Sequence, residues 1–335
     1  MKLPGQNESV RRLFQITVLL LAAFFLAFLF YARYAREKEE RGPKRIICVL
    51  KVLDETNDFW EQLLEGAQMA ALEYGIELEV VAASQETAIE EQNQLIYWAI
   101  EERPDAILLM PSSQEDTAPA VEKVRESGIP IVLVDSSVNG SEGLTRVATD
   151  NVEAGKIQGE FMKKFLTQES QIAIVSYVKG ASTAADREKG LREGLGEFEE
   201  NIVEVVFCDS DYDKAYQLAQ ELLEKYPQID MIAGLNEYAA VGAARAVVDK
   251  GYEDRVNMVG FDSSMEEIRL LERGVFEGIV IQNPYTMGYM AVEQADRILK
   301  GAETEEFVNS GSKLITKEEM YSEENQKILF MFTED

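Results

Sequence analysis

The chain has 335 residues, 46% of them apolar, which is enough for two domains with separate cores. Acidic residues outnumber basic ones by 61 to 33, and beyond residue 45 by 57 to 24, a balance of −33 that makes a poor surface for nucleic acid. There is no histidine, which excludes Ser-His and Cys-His catalysis, His-ligated zinc and a histidine pH switch; no metal and no cofactor are expected.

Residues 13–31, LFQITVLLLAAFFLAFLFY, are almost continuously apolar. At helical rise such a run spans roughly 30 Å, the thickness of a hydrocarbon core. A retained transmembrane anchor is expected there, between a short cytoplasmic tail (1–12) and a juxtamembrane linker (32–44). The rival is a cleaved signal peptide, whose apolar core is shorter and ends in a small-x-small site. Here the run ends FLFYARYAREKEERG, and no cysteine follows as a lipid attachment point. Basic residues flank both sides. Such charges orient short loops, whereas a large domain translocates largely regardless of them.

From residue 45 short apolar runs alternate with amphipathic stretches. RIICVLKVL reads as a strand. Apolar positions 60, 63, 64, 67, 70, 71 and 74 repeat at helical period, and Gly75 closes that helix over 58–74. IELEVVA is the next strand, 85–102 a helix, DAILLM a strand, 114–127 a helix and IPIVLVD a strand. A second series follows. TRVAT, QIAIVSYV, IVEVVFC, MIAGL, VNMVGFD and FEGIVIQN read as strands. The helices between and after them are expected over 151–166, 184–198, 213–225, 238–250, 265–273 and 285–299. SKLIT closes the series as an extended segment. The alternation predicts an α/β fold with parallel sheets, divided into two similar doubly wound halves. Cys48 and Cys208 sit in strand-like runs and read as small buried hydrophobes.

In open α/β sheets ligands bind beyond the carboxyl ends of the strands. The residues just past the strands here are Asp54 to Trp60, Met110 to Ser113, Asp135 to Ser137, GASTAADREKG with Arg187, DSDYDK with Tyr212, Asn236, Asp262 and Gln282. They are mainly carboxylates, amides, one guanidinium and aromatics. Carboxylates and amides can each pair with two hydroxyls, Arg supplies a fork of donors, and aromatic faces suit the C–H faces of a sugar ring. A phosphate cradle would need glycine-rich backbone amides instead. Each residue has a plainer use as well. Asn57 or Thr56 can cap a helix, Phe59 with Trp60 can be a hydrophobic first turn, Asp211, Tyr212 and Asp213 can be a cap plus core packing, and Asp135 and Asp262 can cap or turn.

The stretches NDFWEQLLEGAQ, ERPDAILLMPSS, GIPIVLVDSS, ATDNVEAGKIQGEF, STAADREKGLREG, NEYAAVGAARAVVDKG, MVGFDSS and KLITKEE, in that order, resemble the periplasmic sugar-binding proteins of the ribose-binding type. The resemblance runs from about residue 45 to 318. It implies two lobes joined by three crossings (the type 1 periplasmic binding fold). The expected N-terminal lobe is 45–149 plus 283–311, and the C-terminal lobe 150–282 plus 312–335. It implies a ligand site of Asn57, Phe59, Trp60, Asp135, Ser136, Arg187, Tyr212, Asn236, Asp262 and Gln282. Phe59 and Trp60 would hold the sugar from one lobe, and Tyr212 would stack on it from the other. Two positions depart from the ribose pattern: Met110 stands where that pattern has Asn, and Ser136 where it has Arg. Lys51 and Asp54 are the candidate replacements.

The function so implied is a membrane-anchored receptor outside the cytoplasm that closes around a monosaccharide or polyol. Its partner would be a sugar ABC permease or a sensor histidine kinase. The same core occurs in sugar-responsive repressors of the LacI type, but a DNA-binding segment would have to stand where the apolar run stands. A glycosidase would need an acid–base pair, for which Asp135 and Asp262 are the candidates. The expectation is a binding protein, not an enzyme.

Overall fold

The structure is a computed structural model that describes residues 13–21, 23–26, 28, 30–31 and 42–330. It falls into two units, residues 1–44 and 45–335. In the first, the described residues of the apolar run are helical. Their large side chains are exposed, Leu13 at 67% and Phe30 at 77%. No helix among the described residues is long and apolar enough to cross a membrane. The anchor expected over 13–31 is therefore not supported by the fold. The expected tail 1–12 and most of the linker lie outside the described residues.

The second unit holds two α/β lobes. The chain first lays down β1 (Lys44–Leu50), α1 (Asp58–Tyr74), β2 (Ile76–Ala82), α2 (Ile89–Glu102), β3 (Ala106–Leu109), α3 (Ala118–Ser127), β4 (Ile131–Val134) and β5 (Thr145–Ala148). It then crosses to α4 (Asn151–Met162), β6 (Gln171–Ser176), α5 (Ser182–Leu195), β7 (Ile202–Phe207), α6 (Tyr212–Lys225), β8 (Ile229–Gly234), α7 (Glu237–Asp249), β9 (Asn257–Phe261), α8 (Met265–Arg273) and β10 (Gly278–Gln282). α9 (Pro284–Leu299) and β11 (Phe307–Asn309) return to the first lobe. β12 (Ser312–Ile315) and α10 (Glu323–Leu329) close the second. The sheets run β11-β5-β4-β3-β1-β2 and β12-β10-β9-β8-β6-β7, the same order position for position. β12 is antiparallel to β10, whereas β11 joins β5 in parallel. The short β11 is a strand that the apolar pattern does not reveal.

The ends of the elements follow local chemistry. Gly75 takes a left-handed φ of 65° and donates to the carbonyls of Ala71 and Leu72, which ends α1. The central strands are covered by helices on both faces, so Ile46 through Leu50 and Ile172 through Val175 are fully buried. A buried amide locks each sheet to a helix. Gln92 of α2 donates to the carbonyls of Leu50 (3.0 Å) and Met110 (2.9 Å) and accepts from Ser112 N–H (2.8 Å). Gln158 of α4 donates to those of Gly234 (2.9 Å) and Val259 (3.0 Å). The three crossings are joined to one another. Thr149 donates to Gln282 Oε1 (2.8 Å) and meets the Ser310 hydroxyl (3.3 Å), and Asn283 donates to the Ser310 carbonyl (3.0 Å).

Glycines let two helix pairs touch backbone to backbone. A Cβ on Gly288 of α9 would stand 1.9 Å from the Leu63 carbonyl oxygen of α1, and one on Gly190 of α5 would stand 1.9 Å from that of Val152 in α4. At the start of α8, Ser264 and Glu267 form a capping box in which Glu267 Oε2 accepts from Ser264 N–H (2.9 Å). Glu267 is fully buried and its other oxygen makes no hydrogen bond among the described residues. Burial, with Glu237 and Asp262 close by, pushes its carboxyl well above the ordinary range.

Gly288→Ala should cost about 1–3 kcal/mol or more, because backbone cannot yield as a side-chain tip can; urea denaturation measures it. For Glu267 the folded carboxyl holds its proton more tightly than the unfolded one. Its stabilisation is full below the ordinary value of 4.5 and is lost as pH rises above it. Glu267→Gln removes that loss. The difference in melting temperature, variant minus wild type, should rise from about pH 5 to about pH 8. A flat difference would show that Glu267 titrates normally.

Candidate functional site

The carboxyl ends of both sheets face one cleft, with about 320 Å³ of empty space including its mouth. Of the expected residues, Asn57, Phe59, Trp60, Asp135, Arg187, Asn236, Asp262 and Gln282 line it, together with Lys51, Glu86, Tyr177, Thr183 and Tyr238. Ser136 and Tyr212 do not line it. Ser136 is fully buried behind Asp135, to whose Oδ2 it donates (2.7 Å). Tyr212 stands behind Tyr238, its ring 4.7 Å away. Its hydroxyl donates to Glu237 and approaches Asn57 Nδ2 at 3.4 Å.

Asp135 follows β4 and Asp262 follows β9, the equivalent strands of the two lobes. Both are non-glycine residues with positive φ, 62° and 88°. Such backbone costs of order 1–3 kcal/mol per residue and clusters at functional sites. The two carboxyls are balanced differently. Burial opposes charge on Asp135, but the Lys51 ammonium 2.6 Å away and the Arg187 guanidinium outweigh it and hold the group below the ordinary carboxylate value. Asp262 accepts from Gln282 Nε2 (2.6 Å) and Glu237 N–H (2.9 Å). There burial wins over Arg187 and the carboxyl is pushed up.

Arg187 is fixed by three contacts. Its Nε donates to Asn151 Oδ1 (2.8 Å), one NH donates to the Leu235 carbonyl (2.8 Å), and the guanidinium lies 3.8 Å over the Phe261 ring. Phe59 and Trp60 stand edge to face at 5.0 Å. Trp60 is fixed by its indole N–H, which donates to Glu86 (3.1 Å). Asn57 precedes α1 but makes no side-chain cap, and its Oδ1 is buried with no hydrogen bond among the described residues. Asn236 serves twice, capping α7 through Ala239 N–H (3.0 Å) while lining the cleft. Asp211 does only the plainer job, capping α6.

Bonds between lobes close the cleft. Tyr238 donates to Asp54 (2.7 Å), Ser210 to Glu86 (2.8 Å) and Met265 N–H to Asp58 (2.9 Å). On the far side Ser137 N–H reaches Ser182 (2.9 Å), and Gln114 N–H reaches the Gly180 carbonyl (2.9 Å). Glu86, Tyr177, Thr183 and Tyr238 escaped the sequence reading. Glu86 sits in a polar loop after β2, and Tyr238 sits one position inside a helix, so neither carries a strand-end signal.

Both cysteines are buried and free, and burial pushes the Cys208 thiol up to about 11. Groups of acidic residues and thiols able to hold a metal are absent among the described residues.

The chain matches the model of the periplasmic binding protein domain over residues 49–303. It is 26% identical to the ribose import binding protein RbsB of Bacillus subtilis over 285 residues, 85% of this chain and 92% of that protein. Among solved structures, a sugar transporter from Clostridium phytofermentans shares 44% identity with a TM-score of 0.78, covering 81% of this chain and 98% of the other. An ABC transporter solute binding protein from Agrobacterium vitis, solved with bound D-fucose, shares 28% identity with a TM-score of 0.81, covering 85% and 99%. The relatives so named are binding or transport proteins, not enzymes. Two parallel-sheet lobes with a shared order, three crossings and a closed cleft at their strand ends are the type 1 periplasmic binding fold, and the chain belongs to the periplasmic binding protein domain family.

Proposed function

We propose that this protein is a sugar receptor working outside the cytoplasm. It closes two lobes, 45–149 with 283–311 and 150–282 with 312–335, around one monosaccharide or polyol. The observation that carries the reading is the pairing of aromatic faces with hydroxyl-directed groups in one closed cleft. Phe59, Trp60 and Tyr238 supply the faces; Asn57, Asp135, Arg187, Asn236, Asp262 and Gln282 supply the polar contacts. Relatives named for ribose and for D-allose, and a neighbour holding D-fucose, support the ligand class.

Closure changes the outer surface, and a membrane partner reads that change. A sugar ABC permease is the partner that the relatives favour, since one is named a solute binding protein of an ABC transporter. A sensor histidine kinase is the other candidate. Tethering through residues 13–31, with the N-terminus inside and the binding domain outside, belongs to this proposal and rests on the apolar run alone. Protease treatment of intact cells tests the outside placement: a digested binding domain is expected, and full protection would overturn it.

Titration calorimetry of the protein against ribose, allose, arabinose and fucose tests the ligand class, and saturable binding of at least one is expected. Arg187→Ala should then weaken that sugar by more than about 1.5 kcal/mol, over tenfold, because charge-assisted hydrogen bonds are stripped from a closed cleft. Unchanged affinity would remove Arg187 from the contact set.

A further inference from the structure

Lys51 stands at the mouth of β1, on the strand end that opens into the cleft. It is 3% exposed. A lysine is seldom buried so fully without being paired. Its ammonium donates to Asp135 Oδ2 at 2.6 Å and lies 5.8 Å from the Trp60 ring centre. Asp135 is the hydrogen-bond partner that Lys51 has among the described residues, so donors remain on the ammonium. Asp135 spends Oδ2 on Lys51 and Ser136, and its Oδ1 has no hydrogen-bond partner among the described residues. A cation with spare donors and a carboxylate with a spare acceptor therefore border the same space.

That combination suits a hydroxyl group. A hydroxyl accepts and donates at once, so it can take a hydrogen from Lys51 and give its own to Asp135 Oδ1. A methylene can do neither, and it would leave a buried ammonium and a buried carboxylate short of partners. A longer arm at residue 136 is not available for this work, because Ser136 is turned behind Asp135. The lysine arrives from a different strand, β1 rather than β4, and so approaches the ligand from another side.

We propose that Lys51 is a specificity-determining residue of the cleft: with Asp135 it reads one hydroxyl of the bound sugar and rejects the sugar that is deoxy at that carbon. This rests on the sugar-binding reading above. A site built to hydrogen-bond a hydroxyl discriminates against its absence far more strongly than an apolar pocket does.

The test takes whichever of ribose, allose, arabinose or fucose binds the wild type, and titrates its mono-deoxy analogues into wild type and Lys51→Met. In wild type one deoxy position should lose about 100-fold or more in affinity. In Lys51→Met the penalty at that position should shrink to less than about tenfold, while penalties at the other positions stay as they were. A variant whose structure is merely disturbed would lose affinity for every analogue alike and keep the same ratios. Unchanged ratios in Lys51→Met therefore overturn the proposal while sugar binding stands. If Lys51→Met does not fold, as judged by its melting curve, Lys51→Met/Asp135→Asn removes both charges and is read against Asp135→Asn in the same way. Binding of none of the four sugars by wild type overturns the sugar reading, and the role of Lys51 with it.

Discussion

A carboxylate withdrawn from water between two lobes needs its charge held by something else, and this cleft depends on how that is done. Isolated burial of such a group costs several kcal/mol, which a small opening between domains cannot supply. Asp135 is compensated by a full ammonium and a nearby guanidinium and stays ionised. Asp262, at the matching position, leans on an amide and a backbone N–H, and burial prevails. Equivalent residues of a doubled fold thus present unlike chemistry. One carboxyl of the cleft is held below the ordinary carboxylate value and the other is pushed above it.

The architecture exists to bring these groups together. Matching strand orders aim the two sets of strand ends at each other. The left-handed backbone at Asp135 and Asp262 carries a cost, which the dry sheets beneath them offset. Close helix pairs at Gly288 and Gly190 and the amide locks of Gln92 and Gln158 make each lobe behave as one piece. Rigid lobes hold side chains where loops alone would let them wander.

Much of this is legible in the sequence because burial leaves a periodic trace. The helix over Asp58–Tyr74 and its glycine stop appear at the expected residues, as do α8 and most strands. β11 escapes because three half-exposed edge residues, Phe307 to Asn309, have no apolar run. In the cleft, residues directly after strands were readable, since topology alone assigns them a direction. Tyr212 was not: it opens α6, and its ring packs on Tyr238, which lines the cleft in its place. Glu86 gave no signal because its partners, Trp60 and Ser210, lie 26 and 124 positions away. The Trp60 contact depends on how α1 packs beside the loop after β2, and the Ser210 contact on how the lobes meet; no local pattern encodes either. The N-terminal run is the reverse case: composition suggests a membrane span, while no helix among the described residues is long and apolar enough to cross a membrane.

Gln282 has a place that neither lobe could give it alone. Its amide nitrogen holds Asp262 in the cleft, and its oxygen takes the Thr149 hydroxyl, which in turn meets Ser310. Thr149, Gln282 and Ser310 mark the three places where the chain passes between lobes. The crossings between the lobes and the floor of the cleft are therefore joined by one continuous thread of hydrogen bonds, from Asp262 through Gln282 and Thr149 to Ser310. Any turning of one lobe on the other would pull at the same amide that holds Asp262 in place, with no intervening loop to absorb the strain.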